Sequence, residues 1–146
     1  MPPVPLPDFR PDGYLPEGVH WASEAEVLFR FGSATRRRQR VVHRLRRWIE
    51  LARRISARRL LLDGSFVTTK AEPDDIDAVV LLPPGFQRLV DERMDAALEL
   101  EEMLLTRQPE EIFAAEDEAD WDAWVEFFSR TREADGRRKG LVEVAL

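Results

Sequence analysis

Apolar residues recur at Val41, Leu45, Trp48, Ala52 and Ile55, alternately four and three positions apart. That is the period of one buried stripe on a helix, and it predicts a helix from about Ala34 to Ser56. Before it, Ser23-Glu24-Ala25-Glu26 has the spacing of a capping box, Val27, Leu28 and Phe31 follow, and Gly32 offers a stop. This predicts a short helix over Ser23 to Phe31. The pattern then changes to continuous apolar runs, Leu60-Leu61-Leu62 and Ala78-Val79-Val80-Leu81-Leu82, which read as two buried strands, the first spanning Arg59 to Asp63. Pro83-Pro84-Gly85 is a break. Phe86, Leu89, Val90, Met94, Ala97, Leu98, Met103 and Leu104 predict one long amphipathic helix to about Thr106. Glu110 to Ala115 follows Pro109 and reads as a third strand, Trp121, Trp124, Val125 and Phe128 as a helix with an aromatic face, and Leu141 to Ala145 as a closing strand. Such an aromatic stripe is the mark of core packing more often than of a base-stacking surface.

The first 18 residues carry Pro2, Pro3, Pro5, Pro7, Pro11 and Pro16. Fixed φ angles and missing donors exclude a regular helix or central strand there, so residues 1–20 are expected to form an extended arm on a single domain, 21–146. Phe9, Tyr14, Leu15 and Val19 could pin the arm to the domain.

Composition adds limits. The chain has 146 residues, enough for one domain with a real core, with 44% apolar and 34% charged residues. It has no cysteine, which excludes a disulfide framework, a thiolate nucleophile and a Cys-based zinc site. No apolar run approaches the ~18 residues of a membrane span, and the proline-rich start lacks signal-peptide regions, so a cytoplasmic location is the default expectation. The net charge of -6 is divided along the chain. Arg36, Arg37, Arg38, Arg40, Arg44, Arg46, Arg47, Arg53, Arg54, Arg58 and Arg59 crowd one segment, whereas Asp91 to Glu126 is dominated by acids. The arginine face is either solvated or a contact for the phosphates of a nucleic acid or for an acidic partner chain. His43 lies beside the buried stripe, where a surface or core role is the ordinary expectation.

Candidate chemistry centres on Gly64-Ser65 and Asp75-Ile76-Asp77. On a strand, Asp75 and Asp77 project from one face and repel each other unless a cation is shared, and Mg²⁺ prefers such oxygen ligands. Gly64 permits close backbone approach, and Ser65 adds a hydroxyl and an N–H suited to phosphate. Near the end of the chain, Gly136 and Gly140 frame a basic turn whose Lys139 or Arg138 could lie over a phosphate, a solvated hairpin being the alternative.

Gly64-Ser65, followed after the loop 66–74 by Asp75-Ile76-Asp77 and apolar Ala78-Val79-Val80, resembles the signature of the nucleotidyltransferase fold, the DNA polymerase beta-like superfamily. The resemblance covers about residues 41–115 and implies an α+β fold, a small mixed β-sheet with helices packed mainly on one side. It further implies that Gly64 and Ser65 hold a nucleoside triphosphate. Asp75 and Asp77 would bind Mg²⁺, and a third carboxylate would come from a later strand. Glu111 matches that position, with Glu110 as the fallback if the register shifts by one, although the family most often has Asp there. The segments Gly13 to His20 and Arg138 to Val142 also resemble small bacterial proteins of uncharacterised function with this fold.

The activity so implied is Mg²⁺-dependent transfer of a nucleoside monophosphate to a hydroxyl of a protein, RNA or small-molecule acceptor, with pyrophosphate released. The competing expectation is a weak or inactive nucleotidyltransferase-like binding protein, such as one component of a toxin–antitoxin or defence pair. There the arginine helix would meet an acidic partner or RNA. A third is a plain nucleic-acid-binding protein.

Overall fold

The structure is a computed structural model that describes residues 5–106 and 111–146, Glu111 by its backbone. Five strands form one mixed sheet: β1 (Gly18–Ala22), β2 (Arg59–Asp63), β3 (Asp77–Leu81), β4 (Glu111–Ala115) and β5 (Gly140–Val144). Their order is β1-β5-β2-β3-β4, with β1 parallel to β5, β4 parallel to β3, and β2 antiparallel to both its neighbours. The helices are α1 (Glu24–Phe31), α2 (Arg36–Arg54), α3 (Phe86–Asp91), α4 (Asp95–Thr106) and α5 (Glu118–Ser129). This is the small α+β architecture expected. Among the described residues no helix is long and apolar enough to cross a membrane.

Strand alternation sorts the core into two layers. Leu60, Leu62, Ala78, Val80, Ile112, Val142 and Val144 face α1 to α4, and the whole predicted stripe of α2 is buried among them. Leu61, Val79, Leu81 and Leu141 face the other way, onto Trp121 and Phe128 of α5. The aromatic stripe is therefore core.

The helix start expected at Ser23 is observed, with half of its capping box. Ser23 caps α1 by accepting the Glu26 N–H, but the Glu26 carboxylate reaches out to the N–H of Leu6 rather than back to the cap. Thr35 caps α2 through the Arg38 N–H. The single long helix expected from Phe86 to Thr106 is broken in two. Arg93 adopts φ +61°, and the Met94 N–H turns back to the Leu89 carbonyl, closing α3 before α4 begins. An arginine in that conformation carries no glycine or proline signal, so periodicity ran through it.

The proline-rich segment contributes β1 at the sheet edge and buries Leu6 and Leu15 in the core. Its prolines lack N–H groups, but its carbonyls are used. Arg30 donates to the carbonyls of Leu6 and Pro7 at 3.1 and 2.6 Å, and Gly140 N–H donates to Leu15.

Candidate functional site

Where β2 ends, Gly64 takes φ +93° and ψ 178°, and Ser65–Val67 form a single 3₁₀ turn. A Cβ on residue 64 would stand 3.0 Å from the Asp75 carbonyl oxygen and 3.1 Å from the Ile76 Cα. Both the backbone conformation and the space require glycine. The turn is latched to the segment before β3. Ser65 donates its N–H at 3.0 Å and its hydroxyl at 2.6 Å to Asp75 Oδ1, while the hydroxyl oxygen accepts the N–H of Asp74 at 2.9 Å.

This arrangement corrects the expectation that Asp75 and Asp77 project side by side from one strand. β3 starts at Asp77, and Asp75 precedes it with its carboxylate turned to the Ser65 donors. Two hydrogen bonds to a carboxylate outweigh continuation of a strand at its exposed end. The intervening Ile76 is buried in the core as alternation required.

Asp77 is 9% exposed at the start of β3, and its antiparallel register partner is Asp63, the last residue of β2, 3% exposed. Both continue the alternation of Val79 and Leu61 and so lie on the face that α5 covers. Asp63 was not singled out from the sequence, although an acid that closes a run of three leucines is a visible anomaly. Its carboxylate meets Lys139 Nζ at 2.8 Å. Burial pushes the Asp63 carboxyl above its usual range, and the ammonium beside it pulls in the opposite direction. Lys139 is set by its own N–H, which donates to Ser129, and its Nζ lies 6.0 Å from the Tyr14 ring centre.

Gly64, Ser65, Asp75, Asp77 and Lys139, named from the sequence, all line one cleft of about 720 Å³ together with Asp63, Thr68, Lys70, Phe127 and the arm residues Asp12 to Tyr14. Arm and cleft are joined where Thr69 N–H donates to the Gly13 carbonyl and Arg137 pairs with Asp12. Glu111 on β4 is the parallel register partner of Asp77, and Glu110 lies outside the described residues. Among the described residues no three His, Cys, Asp or Glu side chains converge to hold a metal ion.

The arginine helix has a use that composition did not reveal. Arg38 is 5% exposed and donates to the carbonyls of Phe31 (2.9 Å), Phe66 (2.7 Å), Thr68 (2.8 Å) and Lys70, so it shapes the loop forming one cleft wall. Many of its neighbours meet the chain's own acids. Arg37 pairs with Glu72 and Asp74, Arg47 with Glu50 and Glu99, Arg53 with Glu24, and Arg59 with Glu118 and Glu143. His43 is exposed.

Comparison with curated proteins and with solved structures finds no match. A family model described as a family of unknown function, DUF6932, matches residues 7–145, and the chain belongs to that family.

Proposed function

We propose that the protein is a Mg²⁺-dependent nucleotidyltransferase that moves a nucleoside monophosphate from a nucleoside triphosphate to an acceptor hydroxyl. The observation that carries this reading is the convergence of Gly64-Ser65, Asp75, Asp77 and Lys139, from three separate stretches of chain, on one cleft. The donors suit a hard divalent cation, since carboxylate oxygens at a cleft floor are what Mg²⁺ takes. Asp75 and Asp77 would hold it, with Glu111 next to Asp77 in the strand register. When bound, it supplies charge neutralisation at the phosphates and acidifies the acceptor hydroxyl. Ser65 and the adjoining backbone would orient the phosphates, Ser65 exchanging its bond to Asp75 for one to a phosphate oxygen. Lys139 would face the developing negative charge of the leaving pyrophosphate. The acceptor oxygen bonds to the α-phosphorus as the α–β bridging bond breaks, and a cleft carboxylate takes the hydroxyl proton. The acceptor, whether protein, RNA or small molecule, is read by surfaces outside these residues.

The competing reading, an inactive nucleotidyltransferase-like binding protein of the toxin–antitoxin or defence kind, draws on a specific observation. Lys139 is engaged by Asp63 and so is already paired within the chain. Thermal unfolding with Mg²⁺ and each ribonucleoside triphosphate separates the two. Ligand at 100 times Kd stabilises the native state by about 2.7 kcal/mol. At roughly 2–4 °C per kcal/mol for a chain of this size, the expected Tm rise is about 5–10 °C. It should vanish in the Asp75→Ala/Asp77→Ala double variant. No shift with any nucleotide at saturation rejects the catalytic reading.

A further inference from the structure

We infer that Phe127 is the platform on which the substrate's nucleobase stacks, an inference that rests on the nucleotide reading of the cleft. The aromatic stripe of α5 is occupied with the core: Trp121 and Phe128 are buried, and Trp124 stacks on Phe128 with ring centres 5.5 Å apart. Phe127 lies off that stripe. It is 59% exposed, yet it lines the same cleft as Ser65, Asp77 and Lys139. Isolated apolar residues on a surface are ordinary, but this one is held in place. Its ring meets Trp124 edge-on at 6.0 Å and 87°, and Phe128 at 5.3 Å and 70°. Two perpendicular neighbours on the same rigid helix fix the ring's tilt and leave much of it open to solvent.

Phe128, the neighbouring ring in the cleft lining, is buried, and apart from it and Tyr14 the cleft is largely polar. Carboxylates and Lys139 lie at the strand ends, and Lys70, Arg130 and Arg132 stand among the lining residues. Tyr14, the other aromatic ring presented to the cleft by a loop, already has the Arg10 guanidinium and the Lys139 ammonium within 6.0 Å of its centre. A ligand that matches one open aromatic ring beside cations and carboxylates has a flat π-face joined to phosphates. A nucleotide meets that description, and an inorganic polyphosphate meets only half of it. Stacking tolerates any base, so this contact supplies affinity and orientation for the base without choosing among bases.

The test measures equilibrium binding of each Mg²⁺–nucleoside triphosphate, and of Mg²⁺–tripolyphosphate as a base-free probe, to wild type, Phe127→Ala and Phe127→Tyr. The exposed position makes misfolding of either variant readily checked by circular dichroism. The expected result is a loss of about tenfold in nucleotide affinity for Phe127→Ala, unchanged tripolyphosphate affinity, and near wild-type behaviour for Phe127→Tyr. Nucleotide affinity that survives Phe127→Ala, or a loss shared equally by tripolyphosphate, overturns the inference while leaving a nucleotide or phosphate site standing. Wild type that binds neither ligand overturns this inference and the nucleotide reading together.

Discussion

Replacing Arg38 with Met should be among the most destabilising single changes available on α2. The guanidinium is buried and satisfies the carbonyls of Phe31, Phe66, Thr68 and Lys70, and it lies 5.6 Å from the centre of the Phe66 ring. Its bonds to Phe31 and Phe66 are fully buried, and those to Thr68 and Lys70 are partly so. Methionine fills much of the volume but donates nothing. The two buried carbonyls then lose partners at about 1–3 kcal/mol each. The two partly buried ones recover water and contribute less, giving a total of about 3–5 kcal/mol. Set against a typical stability of about 5–15 kcal/mol, that is a large fraction, equivalent to a Tm loss of roughly 6–20 °C. Urea unfolding read by tryptophan fluorescence measures it, with Arg38→Lys expected to recover part of the loss because a single ammonium cannot span four acceptors. A loss under 1 kcal/mol for Arg38→Met would refute the view that one side chain organises the 66–70 wall of the cleft.

Gly64→Ala should cost about 1–3 kcal/mol, because the new methyl meets the Asp75 carbonyl 3.0 Å away in a backbone conformation with φ +93°; an unchanged urea midpoint would contradict this. Truncating Asp63 or Lys139 singly strands its partner and should destabilise by about 3 kcal/mol, and a double-mutant cycle should show the double variant losing less than the two singles combined. Arg137 hydrogen bonds hold the Asp135 carboxyl down to about 2. Its contribution to stability is therefore present above the ordinary carboxylate value of about 4 and lost as pH falls toward 2. An NMR titration should find that low midpoint in wild type and a return toward about 3.9 in Arg137→Gln.

What could be read from residues in order is what local physics decides. The stripe of α2, the cap Ser23, the break at Pro83-Pro84-Gly85 and the strand Arg59–Asp63 depend on near neighbours, and each stands where its pattern put it. The Gly64-Ser65 turn was legible for the same reason, since a turn that needs positive φ leaves glycine in the sequence. Three features were hidden because their partners are distant. The edge strand β1 exists through parallel pairing with β5, more than a hundred residues away. Asp75 leaves the strand because Ser65 competes for it. Asp63 joins the cleft because antiparallel register sets it opposite Asp77 and the chain's far end delivers Lys139.

The sequence by itself determined most of the elements, the cap of α1, the α+β class and four polar residues of the cleft, Ser65, Asp75, Asp77 and Lys139, because periodicity, turn chemistry and charge act over a few residues. Tertiary structure decided which of those residues do more than their composition suggests. Register and packing turned an arginine of a charged helix into a buried brace, an acid at a strand end into the partner of Lys139, and a phenylalanine beside the core stripe into an open ring in the cleft.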